Sequence, residues 1–324
     1  MQLHGLHHVT AVTAKASLNL DFYTRVLGLR LVKKSVNQDD VSAYHLFYAD
    51  KLGSPGTDMT FFDWPMTAAN RRGTDSIANT LFRVNGAEAL EFWRARFEEQ
   101  GVKHQGIGSF AGHGAIHFED PEGQQLTLMD DEGAPIEGEL WKAAGIPLDY
   151  AIRGFYGVML SVPQIEPITQ LFTLLLGFEE LARMPSTDGS QKEIVVFGMD
   201  GGGPGKEVFV VEERGVMPAR LGHGGVHHVA FRLKDDAEQQ AWLTRLAQVG
   251  VRTSGQVDRY YFKSVYFRIS NGILFELATD GPGFATDESL ETLGERLALP
   301  PFLEPQRAQI EANLKPLDTA HTSH

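Results

Sequence analysis

Two pairs of adjacent histidines stand out as residues that could do chemistry. The stretch GLHHVTAVT holds His7 and His8, and the distant stretch GVHHVAF holds His227 and His228. Imidazole binds metal ions and transfers protons near neutral pH. The chain contains no cysteine, which excludes thiolate metal sites, iron–sulfur clusters, cysteine nucleophiles and disulfides. Any bound metal must therefore use His, Asp or Glu as ligands.

The elements that would position these histidines recur four times along the chain. Each copy begins with a strand, continues into an amphipathic helix and ends with two or three strands separated by Gly or Pro turns. In the first copy the helix LNLDFYTRVLG carries Leu18, Phe22, Val26 and Leu29 as one apolar stripe. The four opening strands are LHHVTAVT, IANTLFRV, RGFYGVMLSV and GVHHVAFRL. The pattern predicts an α+β protein of four βαβββ units.

The four units group into two tandem pairs. The segment EGAPIEGELWKAAGIPLDYA contains Pro and Gly but little periodicity. We therefore predict an N-terminal domain over residues 1–139, a linker over 140–152 and a C-terminal domain over 153–283. The stretches DESLETLGERLAL and PQRAQIEANL predict a helical appendage over residues 284–324.

Composition narrows the range of partners. The net charge of −13 and the lack of a Lys/Arg cluster interleaved with aromatic residues argue against binding to nucleic acid. No apolar run approaches the length of a membrane span, and the N-terminus does not have the pattern of a signal peptide. We therefore expect a soluble cytoplasmic protein without a membrane partner. The sequence leaves open whether the chain forms a homo-oligomer.

Four βαβββ units in two tandem pairs resemble the vicinal oxygen chelate superfamily, which includes glyoxalases, bleomycin-resistance proteins and extradiol dioxygenases. The resemblance extends to Gly283 and implies that paired units curl their sheets into half-open barrels around a metal. It also implies metal ligands from the first and last strands of a unit, which points to His8, His228 and Glu276. Units one and four would then share one barrel, and units two and three would form a second barrel without a metal.

The corresponding positions of the other units offer poorer ligands. By our alignment they fall near Thr80, at Gly157, at Thr60 or Phe61, at Thr127 and near Val210. Two imidazoles and one carboxylate match the facial triad of non-haem Fe(II) oxygenases, which use O2 as co-substrate. Mn(II), Zn(II) and Ni(II) remain alternative metals, because these ligands alone do not choose among first-row divalent ions.

Seven motifs look most similar to bacterial dioxygenases that cleave the ring of hydroquinones, the para-diols. They are LHHVT, YHLFYAD, GSPGTDMTFF, RGFYG, GVHHVAF, DRYYFKSVYFR and GILFELATDGPGF. The resemblance implies a small aromatic substrate and insertion of O2 beside a hydroxylated ring carbon. It places Arg259 and Tyr266 against the substrate. It also makes His227, and His7 with it, a candidate for proton transfer or substrate binding.

Strand parity bears on how these residues are oriented. Because successive side chains alternate, Thr10 should face the pocket together with His8. The same rule turns His7 and His227 to the opposite side unless a bulge re-aims them.

Two other functions remain open from the sequence. One is a glyoxalase-type metal-dependent isomerase or lyase, which would take a fourth ligand from the last strand of the partner unit, where this chain has Thr60 or Phe61. The other is a non-catalytic protein that sequesters an aromatic ligand, as resistance proteins of the superfamily do. Other histidines receive no role from the sequence, among them His45, His104, His113, His117 and His223 in the body of the chain and His321 and His324 in the tail.

Overall fold

The computed structural model describes residues 1–186 and 192–319 and has the predicted α+β arrangement of four βαβββ units. His321 and His324 lie outside the described residues. The strands are β1 (Leu6–Thr13), β2 (Arg30–Asn37), β3 (Asp40–Ala49), β4 (Asp58–Asp63), β5 (Ser76–Val84), β6 (His104–Phe110), β7 (His113–Glu119), β8 (Gln125–Asp130), β9 (Phe155–Val162), β10 (Glu179–Pro185), β11 (Glu193–Gly198), β12 (Glu207–Glu212), β13 (Gly225–Leu233), β14 (Thr253–Asp258), β15 (Lys263–Arg268) and β16 (Leu274–Thr279). The α-helices are α1 (Ala16–Asp21), α2 (Gly86–Gln100), α3 (Glu166–Gln170), α4 (Asp236–Gln248) and α5 (Arg307–Asn313). None of the helices in the described ranges is long and apolar enough to cross a membrane.

The sixteen strands form two curled eight-stranded sheets. The first sheet has the order β14-β15-β16-β13-β1-β4-β3-β2, and the second has the order β10-β11-β12-β9-β5-β8-β7-β6. Antiparallel pairing of β1 with β13 joins units one and four, and pairing of β5 with β9 joins units two and three. The predicted pairing of units is therefore confirmed. Each half of the sequence contributes one unit to each sheet.

Side-chain alternation gives the central strands of the first sheet two distinct faces. On β1, Val9 and Ala11 pack into the main apolar core between sheet and helices. His8 and Thr10 alternate with them and therefore face into the barrel. On β13 and β16 the same alternation turns His228 and Glu276 inward.

The first helix departs from the predicted stripe. After α1 the chain continues as a π-helix over Phe22–Val26. Since a π-turn has more residues per turn than an α-helix, it shifts the buried face relative to a 3.6-residue period. Leu20 and Tyr23 are buried, whereas Leu18 is 39% exposed. The assignment of Leu18 to the apolar stripe is therefore wrong, while Phe22, Val26 and Leu29 are buried as predicted.

The C-terminal segment is less helical than predicted. DESLETLGERLAL, residues 287–299, contains turns and no helix, while PQRAQIEANL yields the short helix α5. The prediction of a helix over 287–299 is wrong because tertiary contacts override its local helical pattern. Its backbone is held against β2, where Ala298 N donates to Lys34 O at 2.9 Å.

A buried ion-pair cluster fastens this segment to the first sheet. Lys33 on β2 is fully buried and pairs with Asp287 at 2.7 Å and with Glu288. Tyr261 Oη donates to Asp287 Oδ2 at 3.0 Å, and the Lys33 ammonium lies 4.7 Å from the centre of the Tyr261 ring. These contacts tie the C-terminal segment to the loop between β14 and β15.

Removing the buried cation should cost more than removing an exposed one. We expect Lys33→Met to lower the free energy of unfolding by about 3–5 kcal/mol, because it removes the buried cation from the buried Glu288 carboxylate and the partly buried Asp287 carboxylate. Urea unfolding followed by circular dichroism measures the change. Arg94→Met is the matched control, since Arg94 makes an exposed helical pair with Glu91 and Glu98 and should contribute little. Equal stability of the two variants would contradict the assignment.

Candidate metal centre and substrate pocket

Three neighbouring strands bring the predicted ligands together. His8 on β1 pairs with Ala230 on β13, and Ala230 pairs in turn with Glu276 on β16. The methyl group of Ala230 is small enough to let the two longer side chains meet over it. His228 is the preceding inward-facing residue of β13 and comes from the central strand.

The ligand atoms of the triad converge on one point. His8 Nε2 lies 3.1 Å from Glu276 Oε2, and His228 Nε2 lies 2.9 Å from the same oxygen. The two Nε2 atoms are 3.4 Å apart. All three side chains are at most 3% exposed. Of the described residues, these three are the His, Asp or Glu side chains that meet closely enough to share a metal ion.

The first histidine of each pair contacts the ring of the second. His7 Nδ1 lies 2.9 Å from His8 Nδ1, and His227 Nδ1 lies 2.7 Å from His228 Nδ1. The cause is a pair of β-bulges in the β1–β13 ladder. The register has one extra residue on β1 at His7 and one extra residue on β13 at His227. Each bulge re-aims the first ring of the pair toward the Nδ1 atom of the second.

The hydrogen bonds of His7 fix the protonation of His8. His7 Nε2 lies 3.1 Å from the Thr279 carbonyl oxygen, which can only accept, so this nitrogen carries the hydrogen. Burial lowers the pKa of His7 to about 3, so the ring is neutral and its Nδ1 is an acceptor. His8 must then donate through Nδ1, which directs its Nε2 atom at the triad. Burial acts to lower the pKa of His8, but the adjacent Glu276 carboxylate raises it overall.

The electrostatics of the triad call for a positive charge at its centre. Burial alone would raise the pKa of Glu276, but the adjacent His8 and His228 hold it well below its usual range. Ser264 Oγ donates to Oε1 of this carboxylate at 2.5 Å, whereas Oε2 accepts no hydrogen bond. A carboxylate oxygen and two imidazole Nε2 atoms therefore face one another in a buried space.

The residues present fit a divalent first-row metal. Two neutral imidazoles and a carboxylate are its preferred nitrogen and oxygen donors. Ligands in adjacent positions around such an ion, at about 2.1 Å each, are separated from one another by about 3 Å. The three separations within the triad have this size. The hydrogen-bonded His7 and His227 supply the outer partners that metal-binding histidines normally have.

A cavity opens directly above the triad. It has a volume of about 470 Å³, including space open to solvent. Its floor contains His8 and His228, and its walls include the rings of Phe47, Phe62 and Phe262. These side chains could enclose a single aromatic ring.

Arg259 and Tyr266, which the resemblance predicts to contact the substrate, form one polar wall of this cavity. Tyr266 lies directly across from Glu276 in the β15–β16 ladder. Arg259 Nε donates to Tyr266 Oη at 3.2 Å, and its guanidinium also pairs with Asp39 at 2.9 Å. Burial raises the pKa of Tyr266, so its hydroxyl keeps its hydrogen at neutral pH.

The other predicted residues lie around the cavity rather than in its wall. Thr10 faces the barrel interior, where its hydroxyl meets Thr60 Oγ1 at 2.8 Å, but it is not among the lining residues. His7 and His227 are also not among them. The sequence analysis missed His45, which lines the cavity and contacts Thr60 Oγ1 through Nε2 at 2.9 Å. Its inward position on β3, opposite Phe62, was the signal that could have identified it.

The second barrel has lost the triad. Its register places Asn79, Met159 and Phe209 in the row that corresponds to His8, Ala230 and Glu276. The bulge residue of β5 falls one position before Asn79. The equivalent of His8 in unit two is therefore Asn79 rather than Thr80, and the equivalent of Glu276 in unit three is Phe209 rather than Val210. The predicted equivalents Gly157 and Thr127 occupy the remaining inward positions.

Comparison with known proteins agrees with this architecture. The sequence model of the Glyoxalase/Bleomycin resistance protein/Dioxygenase superfamily matches residues 5–128 and 155–280. A Bacillus subtilis protein named "Putative ring-cleaving dioxygenase MhqA" is 49% identical over 317 residues, which cover 98% of this chain and 100% of that protein. A Sphingobium indicum protein named "Chlorohydroquinone/hydroquinone 1,2-dioxygenase" is 30% identical over 311 residues, which cover 94% of this chain and 93% of that protein.

Solved structures extend the comparison. A crystal structure described as a "putative dioxygenase" from Bacillus subtilis superposes with a TM-score of 0.89 at 36% identity and covers 98% of both chains. Glyoxalase I from Zea mays superposes with a TM-score of 0.62 at 15% identity over 85% of this chain and 92% of that one, and this likeness concerns the fold alone.

Fold and site together define an α+β protein of two paired half-open barrels, one of which carries a buried cluster of ligands that could hold a divalent metal. The chain belongs to the Glyoxalase/Bleomycin resistance protein/Dioxygenase superfamily.

Loss of a ligand should abolish metal binding. We expect Glu276→Ala and His228→Ala to be purified without metal, whereas the wild-type protein binds about one divalent ion per chain. Elemental analysis of protein purified without chelators measures this. His4→Ala is the control, because His4 is a partly buried histidine whose Nε2 atom pairs with Glu238 at 3.1 Å, away from the triad. Retention of metal in all three variants would show that the ligands are assigned wrongly.

Loss of an orienting histidine should weaken metal binding without abolishing it. We expect His7→Leu to reduce the metal affinity about 10–100-fold, because the hydrogen bond that orients His8 is lost. Competition with a chromophoric chelator measures the affinity. The matched substitution His4→Leu should leave it unchanged, and an unchanged affinity in His7→Leu would argue against an orienting role.

Proposed function

We propose that this protein is an Fe(II)-dependent dioxygenase that cleaves the ring of hydroquinone-type aromatics. The observation that carries the proposal is the buried cluster of His8, His228 and Glu276, whose two histidines form the floor of a cavity with aromatic walls. The names of the relatives, which include a chlorohydroquinone/hydroquinone dioxygenase, support the same class of reaction.

Within this proposal the metal supplies the redox step that the side chains cannot. Fe(II) held by His8, His228 and Glu276 would let triplet O2 react with a closed-shell aromatic ring. The protein's own task is to bind and orient the ring and to keep the triad fixed. His7 and His227 serve that last purpose as positioning residues, since both reach the Nδ1 atoms of the ligand histidines.

Arg259 and Tyr266 would stabilise the anionic form of the substrate. Arg259 is a fixed positive charge beside the cavity, and a phenol that loses its hydrogen on binding gains negative charge there. Since Arg259 Nε donates to Tyr266 Oη, the Tyr266 hydroxyl hydrogen is free to donate in another direction. The hydroxyl could therefore donate a hydrogen bond to a ring oxygen held above the triad.

The alternative glyoxalase-type reaction has less support. It would need a fourth ligand at the position of Thr60 on β4. The Thr60 hydroxyl instead lies between the Thr10 hydroxyl and His45 Nε2. Asp58 and Asp63 on the same strand are also not part of the ligand cluster. Three ligands leave more open positions on an ion than four, as the binding of both a substrate and O2 requires.

Oxygen consumption tests the proposal directly. The iron-loaded protein should consume about one O2 per hydroquinone cleaved, with less uptake on catechol, as an oxygen electrode and product spectra would show. Tyr266→Phe should lower kcat about 100-fold, the usual effect of losing one hydrogen-bond donor to developing charge. Tyr260→Phe is the matched control, because Tyr260 lies six residues away and does not line the cavity.

Other results would favour the competing functions. Turnover of a hydroxylated substrate under argon would indicate isomerase chemistry. Tight binding of hydroquinone to iron-loaded protein without oxygen uptake would indicate a binding protein. An equal loss of activity in the Tyr260 and Tyr266 variants would contradict the role given to the Tyr266 hydroxyl.

A further inference from the structure

The second barrel contains a cavity that the proposed ring cleavage does not use. It has a volume of about 1040 Å³, including open solvent, and lies between units two and three. Its lining includes Phe110, Met159, Ile194 and Val211, which form apolar walls. The cavity occupies the place in the second sheet that the metal-centre cavity occupies in the first. Its row of Asn79, Met159 and Phe209 cannot hold a metal.

A chain of three polar side chains is built into the base of this cavity. Thr127 Oγ1 donates to Asn79 Oδ1 at 3.1 Å, and His117 Nδ1 lies 2.8 Å from Thr127 Oγ1. Asn79 is 6% exposed and Thr127 is fully buried. Asn79 and His117, the two ends of the chain, both line the cavity. Throughout the part of the protein that the structure describes, Asn79 Nδ2 and His117 Nε2 have no hydrogen-bond partner.

At the two ends of this hydrogen-bonded chain, one free atom is always a donor and the other is always an acceptor. With the Thr127 hydroxyl donating to Asn79, Thr127 accepts from His117 Nδ1, and His117 Nε2 offers a lone pair while Asn79 Nδ2 offers a hydrogen. If the Asn79 amide is reversed, every bond in the chain reverses, and the two ends exchange roles. Burial lowers the pKa of His117, which keeps the ring neutral in both cases. The cavity therefore presents one donor and one acceptor, one at each end of the hydrogen-bonded chain.

That pair is complementary to a hydroxyl group. A hydroxyl both donates and accepts, whereas a carboxylate only accepts and an ammonium only donates. The charges near the mouth of the cavity are already compensated, because Lys103 pairs with Glu119 at 3.0 Å and Lys192 pairs with Glu213 at 2.6 Å. A neutral ligand with one hydroxyl and a flat apolar body fits these walls best.

We propose that the second barrel is a metal-free binding site for a neutral phenol. The ligand's hydroxyl bonds to His117 Nε2, and its ring lies among Phe110, Met159 and Ile194. The two barrels of one chain then bind the same chemical class in different ways, the first beside a metal ion and the second through hydrogen bonds alone. This site is independent of oxygen chemistry and goes beyond the proposed ring cleavage.

Fluorine NMR with 4-fluorophenol tests this site in the whole iron-loaded protein under argon. We expect two bound populations in the wild type, one broadened by the iron and one sharp. Glu276→Ala should remove the broadened population and leave the sharp one. His117→Leu should weaken the sharp population about 10-fold, because one hydrogen bond to the ligand is lost. Met159→Trp should abolish it by filling the cavity without changing a polar group.

The control keeps the test independent of general damage to the barrel. His113→Leu makes the same substitution on the same strand at a residue that does not line the cavity, and it should leave the sharp population unchanged. Circular dichroism identifies any variant that fails to fold. If either His117→Leu or Met159→Trp does not fold, the result is decided by the one that does. The proposal is overturned if the wild type shows no sharp population. It is also overturned if that population survives unchanged in the folded His117 and Met159 variants. Neither result depends on oxygen uptake, so failure here leaves the proposed dioxygenase reaction standing.

Discussion

The antiparallel pairing of β1 with β13 is the contact on which the candidate metal centre depends. It joins two strands that are more than two hundred residues apart in sequence and places His8 beside His228. It also provides the two bulges that turn His7 and His227 toward the ligands. A shift of one residue in this register would move the inward side chains to the opposite face and separate the triad. One ladder therefore explains the two His-His pairs, because each pair supplies a candidate metal ligand and a second ring in contact with it.

Burying the side chains of His8, His228 and Glu276 together has an electrostatic cost that a bound cation would offset. An isolated carboxylate in an apolar interior is strongly disfavoured, and two lone pairs facing it add to the cost unless a positive charge lies between them. Glu276 receives one hydrogen bond, from Ser264, and no other from the described residues. His7 is locked onto the Thr279 carbonyl, so the lone pair on His8 cannot easily be removed by a change of tautomer. A protein organised only for stability would fill such a space with apolar side chains, which argues that a cation belongs there.

Much of the architecture could be predicted because it repeats. Each of the four units has alternating strands, a helix after its first strand and turns with Gly or Pro. The prediction for one unit therefore supports the predictions for the other three. Resemblance to a family then identified His8, His228 and Glu276. The bulges could not be predicted, since they depend on how two distant strands pair. The helix predicted over residues 287–299 was wrong for a related reason. Its contacts with Lys33 and Lys34 on β2 are tertiary, and local helical periodicity contains no information about them.

Comparison of the two barrels shows how few positions separate a metal centre from a different kind of site. The backbone ladders have the same order and the same bulges, so the difference lies in the inward-facing row. In the first sheet Ala230 leaves room for two ligands to meet, whereas in the second Met159 fills that space beside Phe209. The second sheet also carries a hydrogen-bonded chain of polar side chains that runs from Asn79 on β5 through Thr127 on β8 to His117 on β7. A cavity with no ligand to bind would not need a neutral, hydrogen-bonded histidine in its lining. The polar groups that line this cavity are therefore the strongest reason to regard the second barrel as a binding site.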